Sequence, residues 1–249
     1  MKIGVIGGSG IYQIEGVPST EISVNTEYGE VKVFLAQVDD REVYFLPRHG
    51  SGHSVPPHLV NYRANIRALQ GLGAQRIIAT NAVGSLNPEI KPGTVVLVDQ
   101  FLDFTKGRKS TFFEEGKVVH TDMTNPYCPE MIEVASKITT PFPLRKGGVM
   151  VVTEGPRFET AAEVKAFAML GGDVVGMTSV PEVVLSREAG MCYLSLAIVS
   201  NFAAGLQEQV SHEEVLNIMD KLNNQVQMFI LDLIKAMPEE KHCTCPRGA

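Results

Sequence analysis

Short apolar runs separated by helix-length segments organise this chain. "KIGVIG" (2–7) is a continuous apolar run that closes in glycines, the pattern of a buried strand. "GEVKVFLAQV" and "REVYFLPRHG", parted by Asp39-Asp40, read as an antiparallel hairpin. A helix is expected from about Val60 to Leu72. "RIIATNAVGSLNP" then gives a strand with a polar loop, and "GTVVLVDQFLDF" another strand. After an irregular stretch from 104 to 128 a helix begins near Pro129, since proline is tolerated in a first helical turn. "GGVMVVTEGP" predicts a strand, "ETAAEVKAFAML" an amphipathic helix, "GDVVGM" a short strand and "VPEVVLSREAG" a helix. "YLSLAIVSN" reads as a strand covered on both faces, and "SHEEVLNIMDKLNNQVQMFILDLIKAM" as a long closing helix. Strands alternating with helices predict a single α/β domain with a mixed, mostly parallel central sheet, over residues 1–237, and a C-terminal tail over 238–249.

In such sheets ligands bind beyond the carboxyl ends of strands. Polar residues recur at those ends: Ser9, Arg48 and His49, Asn81, Glu154 and Phe158, Met177 and Thr178, and Asn201. Asn201 follows a buried apolar run and precedes Ala-Ala-Gly, which leaves space beside its amide. It either caps a turn or reads a ligand edge that offers one donor and one acceptor.

Composition narrows the partners. With 22 Lys+Arg against 28 Asp+Glu the formal charge is −6, and "KGRK" (106–109) is the longest basic run, so no nucleic acid partner is expected. Apolar runs are too short to cross a bilayer and the N-terminus lacks a signal-peptide core, which together predict a cytoplasmic protein. Four cysteines in 249 residues do not make a disulfide scaffold. They are read as reduced and structural, with three alternatives open: a redox-labile Cys243–Cys245 loop, a weak metal site with His242, or a pairing of Cys128 with Cys192.

Two loops carry candidate chemistry. "GGSG" (7–10) lacks the third glycine of a dinucleotide fingerprint, because Gln13 stands in its place; what remains is a glycine-rich nest able to offer N–H groups and Ser9 to one phosphate. "PRHGSGH" (47–53) sets a fixed cation beside an imidazole, so that Arg48 can hold a phosphate through two parallel bonds and His49 can add another donor. His53 either belongs to the site or braces the loop. No HExxH, CxxC or GxSxG motif is present, so neither a catalytic metal nor a serine nucleophile is expected.

"GVIGGSGIY", "TNAVGSLNP", "TEGPRFETAAE" and "GMTSVPEVVLSREAG" together resemble the trimeric nucleoside phosphorylases, the family of purine nucleoside phosphorylase and methylthioadenosine phosphorylase, over nearly the whole chain. The resemblance implies cleavage of a purine nucleoside by inorganic phosphate, with no cofactor beyond that co-substrate. It implies a phosphate site of Ser9, Arg48, His49, Asn81, Ala82 and Thr178, with Met177 against the ribose and Phe158 against the base. It also implies a homotrimer or dimer of trimers in which His120 reaches a neighbour's site.

Three departures bear on the base. Where the 6-aminopurine branch has Asp-Tyr-Asp, this chain has Asn201-Phe202-Ala203; an amide can donate to a 6-oxo group, which an ionised carboxylate cannot. Glu159 stands where 6-oxopurine enzymes accept from N1–H, and His212 where they meet the ribose 5′-hydroxyl. Each has an ordinary alternative at a helix N-terminus. Taken together they imply a 6-oxopurine nucleoside phosphorylase with Asn201, His49 and Glu159 in catalytic roles; 5′-methylthioinosine or methylthioadenosine phosphorylase is the alternative.

Overall fold

The computed structural model describes residues 1–8, 15–50, 52 and 54–245. Ser9 and His53 therefore lie outside the described residues. The centre of the molecule is a layer of apolar strands: β1 (Lys2–Gly7), β5 (Arg76–Ser85) and β11 (Cys192–Phe202). β11 is buried along all but its last residue, as a strand covered on both faces must be to hold so unbroken an apolar run. β11 lies parallel to β5 along its whole length, and β1 lies parallel to the other edge of β5.

Around this centre the sheet extends through β4 (Arg41–Pro47), β3 (Gly29–Val38) and β2 (Ser19–Thr26) on one side. On the other run β10 (Val174–Gly176), β9 (Val149–Thr153) and β7 (Gln100–Phe104), while β6 (Val95–Leu97) and β8 (Leu144–Lys146) branch from β11. Among the described residues, six of the ten strand pairings are parallel. The predicted hairpin is β3–β4.

Five α-helices occur among the described residues: α1 (Tyr62–Gly71), α2 (Pro129–Ser136), α3 (Ala161–Met169), α4 (Ser179–Glu188) and α5 (His212–Ala236). Each begins where its sequence offers a reason. Asn61 caps α1 by accepting from the Ala64 N–H, Thr160 and Glu163 form a reciprocal capping box on α3, and Ser211 caps α5. In α4 the residue before Pro181, Val180, stays extended (φ −111°, ψ 130°), as sterics before proline require, so the regular turns start at the proline. α5 lies against β3, β5 and β11, and α1 packs on α4.

Three differences from the sequence expectation have physical causes. β5 continues through the segment read as a polar loop, because the Asn81 side chain is satisfied at both ends: Nδ2 donates to Thr178 Oγ1 (2.7 Å) and Oδ1 accepts from Ser195 Oγ (2.9 Å). "GTVVLVDQFLDF" divides into β6 and β7, which pair with different neighbours. β2 and β8 are additional strands; both are partly exposed and carry few apolar residues, so periodicity does not reveal them.

Candidate active site

Two strand ends meet head-on at β5. β1 pairs with it only as far as Ala79, and β10, running the opposite way, pairs only with Gly84 and Ser85. Their carboxyl ends thus converge on Thr80–Val83, where this edge of β5 has no strand partner among the described residues. A cavity of about 420 Å³ opens from this notch. Gly8 lies at its floor: the Gly8 N–H donates to Thr80 Oγ1 (2.8 Å), and a Cβ there would stand 2.6 Å from the Thr80 carbonyl oxygen. Only glycine allows β1 to end so close to β5.

Of the residues expected at the site, Arg48, His49, Asn81, Ala82, Phe158, Glu159, Met177, Thr178, Asn201, Ala203 and His212 line this one cavity. Ser9 follows Gly8 but lies outside the described residues. Phe202 is not part of the lining, although Asn201 and Ala203 on either side of it are. His120 is exposed and stands off the cavity of its own chain.

The geometry revises how Arg48 acts. Its two parallel hydrogen bonds go to Glu182, from Nε to Oε2 (2.7 Å) and from Nη2 to Oε1 (2.6 Å), and Nη1 donates to the Thr80 carbonyl (2.8 Å). A guanidinium this deeply buried requires a counter-charge, and Glu182 is fully buried with it. Burial alone would lower the pKa of Arg48; the adjacent carboxylate reverses this and keeps it charged. Tyr193, whose burial raises its own pKa, donates its phenol proton to Glu182 (2.6 Å). Asn81 is likewise occupied by structure. Because Thr178 Oγ1 accepts from Asn81, its own proton is directed elsewhere.

His49 Nδ1 lies 2.8 Å from the Val55 carbonyl, which can only accept, so Nδ1 carries the proton. At the other end of the cavity Glu159, half-buried in the loop before α3, accepts from Thr153 Oγ1 (2.6 Å). Burial raises its pKa, with the Thr153 bond opposing.

Asn201 sits just past a β-bulge at Ser200, where the β11 ladder shifts register. Its Nδ2 donates to the Phe202 carbonyl (2.8 Å) and its Oδ1 accepts from Ser200 Oγ (2.8 Å). Turning the amide over would set two acceptors against each other at Phe202. The amide is therefore fixed with one further N–H beyond the bond to Phe202, rather than free to rotate.

Glu182 and Arg108 matter here and were not singled out from sequence. Glu182 looks like an ordinary acid in the first turn of a helix. Arg108 belongs to the "KGRK" run, yet it is buried and donates to the carbonyls of Met177 (2.7 Å), Val180 (2.8 Å) and Glu154 (2.7 Å), tying two walls of the cavity together. No local pattern announces either role, because both depend on residues distant in the chain.

The model of the phosphorylase superfamily matches residues 2–235. The chain belongs to this superfamily. Among superfamily members, the 6-oxopurine nucleoside phosphorylase of Pyrococcus furiosus is 50% identical over 98% of this chain and 96% of its own length. A probable S-methyl-5′-thioinosine phosphorylase of Methanopyrus kandleri is 46% identical over 99% of this chain and 97% of its own. In three dimensions this phosphorylase-superfamily fold matches a methylthioadenosine phosphorylase from an antarctic soil metagenomic library with a TM-score of 0.90, at 35% identity over 98% of this chain and 88% of that one.

Proposed function

We propose that this protein cleaves 6-oxopurine ribonucleosides, inosine and guanosine, with inorganic phosphate, releasing the free base and ribose 1-phosphate. The observation that carries this reading is the polar pair on the cavity wall, the oriented Asn201 amide and the Glu159 carboxylate. A 6-oxopurine presents acceptors at O6 and N7 and a donor at N1, which an amide N–H and a carboxylate complement. Adenine presents the reverse at positions 6 and 1. A site that leaves buried polar groups unpaired with the wrong substrate discriminates by roughly 10⁴-fold or more.

On this reading phosphate lies in the notch, held by the remaining Arg48 hydrogens, His49 and the Thr178 hydroxyl, and attacks the anomeric carbon from the face opposite the base. The sugar develops cationic character and negative charge builds on the purine. Asn201 meets that charge with its N–H, Glu159 holds the ring in line, and Met177 lies along the sugar. The enzyme acts in cytoplasmic purine salvage without a cofactor, as a trimer or dimer of trimers to which His120 contributes across the subunit boundary.

A second reading, phosphorolysis of 5′-methylthioinosine, is favoured by Val210 and Val215, which accompany His212 on the cavity wall and suit an apolar 5′ substituent. The test is kcat/KM for guanosine, inosine, adenosine, methylthioadenosine and methylthioinosine, each with and without phosphate. Inosine and guanosine leading, with no turnover in the absence of phosphate, is the expected result. Methylthioinosine leading transfers the assignment to the second reading, and methylthioadenosine leading overturns the base-site argument.

A further inference from the structure

Cys128, Cys192, Cys243 and Cys245 come together although the first and last stand 117 positions apart in the chain. Their four sulfur atoms all lie within 4.8 Å of one another, and Cys192 Sγ is 3.4 Å from Cys243 Sγ. None is in a disulfide. The first two belong to the body of the protein. Cys128 is the N-cap of α2, its N–H bonded to the Tyr193 carbonyl (2.8 Å), and Cys192 opens β11, its N–H bonded to the Gln75 carbonyl (3.0 Å). The other two arrive on the tail after α5. That tail is held by Arg76, which donates to the Glu240 carbonyl (2.9 Å), by Lys241, which donates to the Gly190 carbonyl (3.1 Å), and by the His242 N–H on Glu130 (3.1 Å).

We propose that these four cysteines form a structural zinc(II) site that fastens the C-terminal tail to the sheet. Four thiolates in a tetrahedron suit a soft or borderline divalent ion, and oxygen-seeking cations are disfavoured by an all-sulfur donor set. With metal–sulfur distances of about 2.3 Å such a tetrahedron has sulfur–sulfur edges of about 3.8 Å, so no pair in the cluster needs to shift by more than about 1 Å. A zinc ion with four thiolates carries a net charge of about −2, and a buried complex of that charge needs cations close by.

Arg187 supplies one. It is 3% exposed, and its Nε and Nη1 make no hydrogen bond among the described residues, an uncommon state for a buried guanidinium. Its guanidinium is among the charges that act on Cys245. Binding zinc displaces the thiol protons to solvent and involves no electron transfer. The site is distinct from the nucleoside cavity, since none of the four cysteines lines it.

The intact chain, purified without chelator or immobilised-metal chromatography, should contain about one zinc per subunit. Mercurial modification of the thiols should release it. Four thiols should titrate in denaturant without added reductant. The chelator-stripped, reduced protein should bind cobalt(II) with the intense visible bands and sulfur-to-metal charge-transfer absorption of tetrahedral thiolate coordination. Cys243 is on the tail and partly exposed, so Cys243→Ser should leave the far-ultraviolet circular dichroism unchanged while weakening cobalt binding at least about 100-fold. Absence of metal together with no cobalt spectrum overturns the proposal. So does the loss of titratable thiols to disulfides in the freshly purified protein, or the recovery of iron in place of zinc.

Discussion

Glu159 offers the sharpest test of the base site. In Glu159→Ala the carboxylate that faces the cavity disappears, while Thr153 remains close enough to the surface to be rehydrated. A hydrogen bond to a charged group contributes about 1.5–3 kcal/mol net, so kcat/KM for inosine and guanosine should fall about 10- to 150-fold, with guanosine at the upper end because its 2-amino group adds a donor. Adenosine, whose N1 lone pair opposes the carboxylate, should lose little or gain. Glu159→Gln should go further. Thr153 Oγ1 donates to the oxygen end of this side chain at 2.6 Å, so the amide nitrogen of Gln would point to the cavity, pairing with adenine N1 and clashing with an N1–H. The pH profile gives a second readout. Burial raises the Glu159 pKa, and protonation removes its acceptor function, so guanosine turnover should fall as pH decreases through a value above the ordinary glutamate range. That limb should be absent in the Gln variant. Steady-state phosphorolysis assays with the two nucleosides check both points, and equal losses for guanosine and adenosine would refute the reasoning by showing that Glu159 supports the loop rather than the base.

Asn201→Asp should lower guanosine kcat about 100-fold and raise adenosine activity, because the acceptor-only carboxylate loses the donor that meets charge on the leaving base; an unchanged ratio of the two rates removes Asn201 from that role. Glu182→Gln leaves the Arg48 guanidinium buried without its counter-charge, a loss of about 3–5 kcal/mol that corresponds to roughly 6–20 °C in the thermal midpoint. Thermal unfolding followed by circular dichroism measures it, and an unaltered midpoint contradicts the pairing. Gly8→Ala drives a methyl group against the Thr80 carbonyl and should raise KM for phosphate while lowering stability by about 1–3 kcal/mol. Phosphate titrations at saturating nucleoside would detect the first effect.

What could be read in the sequence was whatever depends on neighbours in the chain. The apolar runs of β1 and β11, the hairpin of β3 and β4 and the capped starts of α3 and α5 are local patterns, and each stands where its pattern puts it. The polar residues at strand ends were legible as a group for the same reason, since each terminates an apolar run. The partners of those residues were not. Arg48 looks free to turn both parallel bonds on a ligand until Glu182, 134 residues away, takes up its fork. Asn81 looks like a loop residue until Thr178 and Ser195 are seen to satisfy it. The cysteines were legible only as two separate pairs, the Cys243–Cys245 loop, open to a weak metal site, and Cys128 with Cys192; only the docking of the tail on α2 and β11 gathers all four.

The pairing of Arg48 with Glu182 also shapes how an anion arrives. From more than a few ångströms away the two charges cancel, so the notch presents a dipole rather than a positive well, in a chain whose formal charge is −6. On the proposed reading the paired charges act on phosphate only at short range, and the chain's net negative charge opposes its approach. Added salt screens that opposition in solvent but reaches the buried pair far less. Phosphate association should therefore quicken as ionic strength rises, the reverse of an anion site built on unpaired surface cations, and selectivity among anions rests on fit within the notch rather than on capture from a distance.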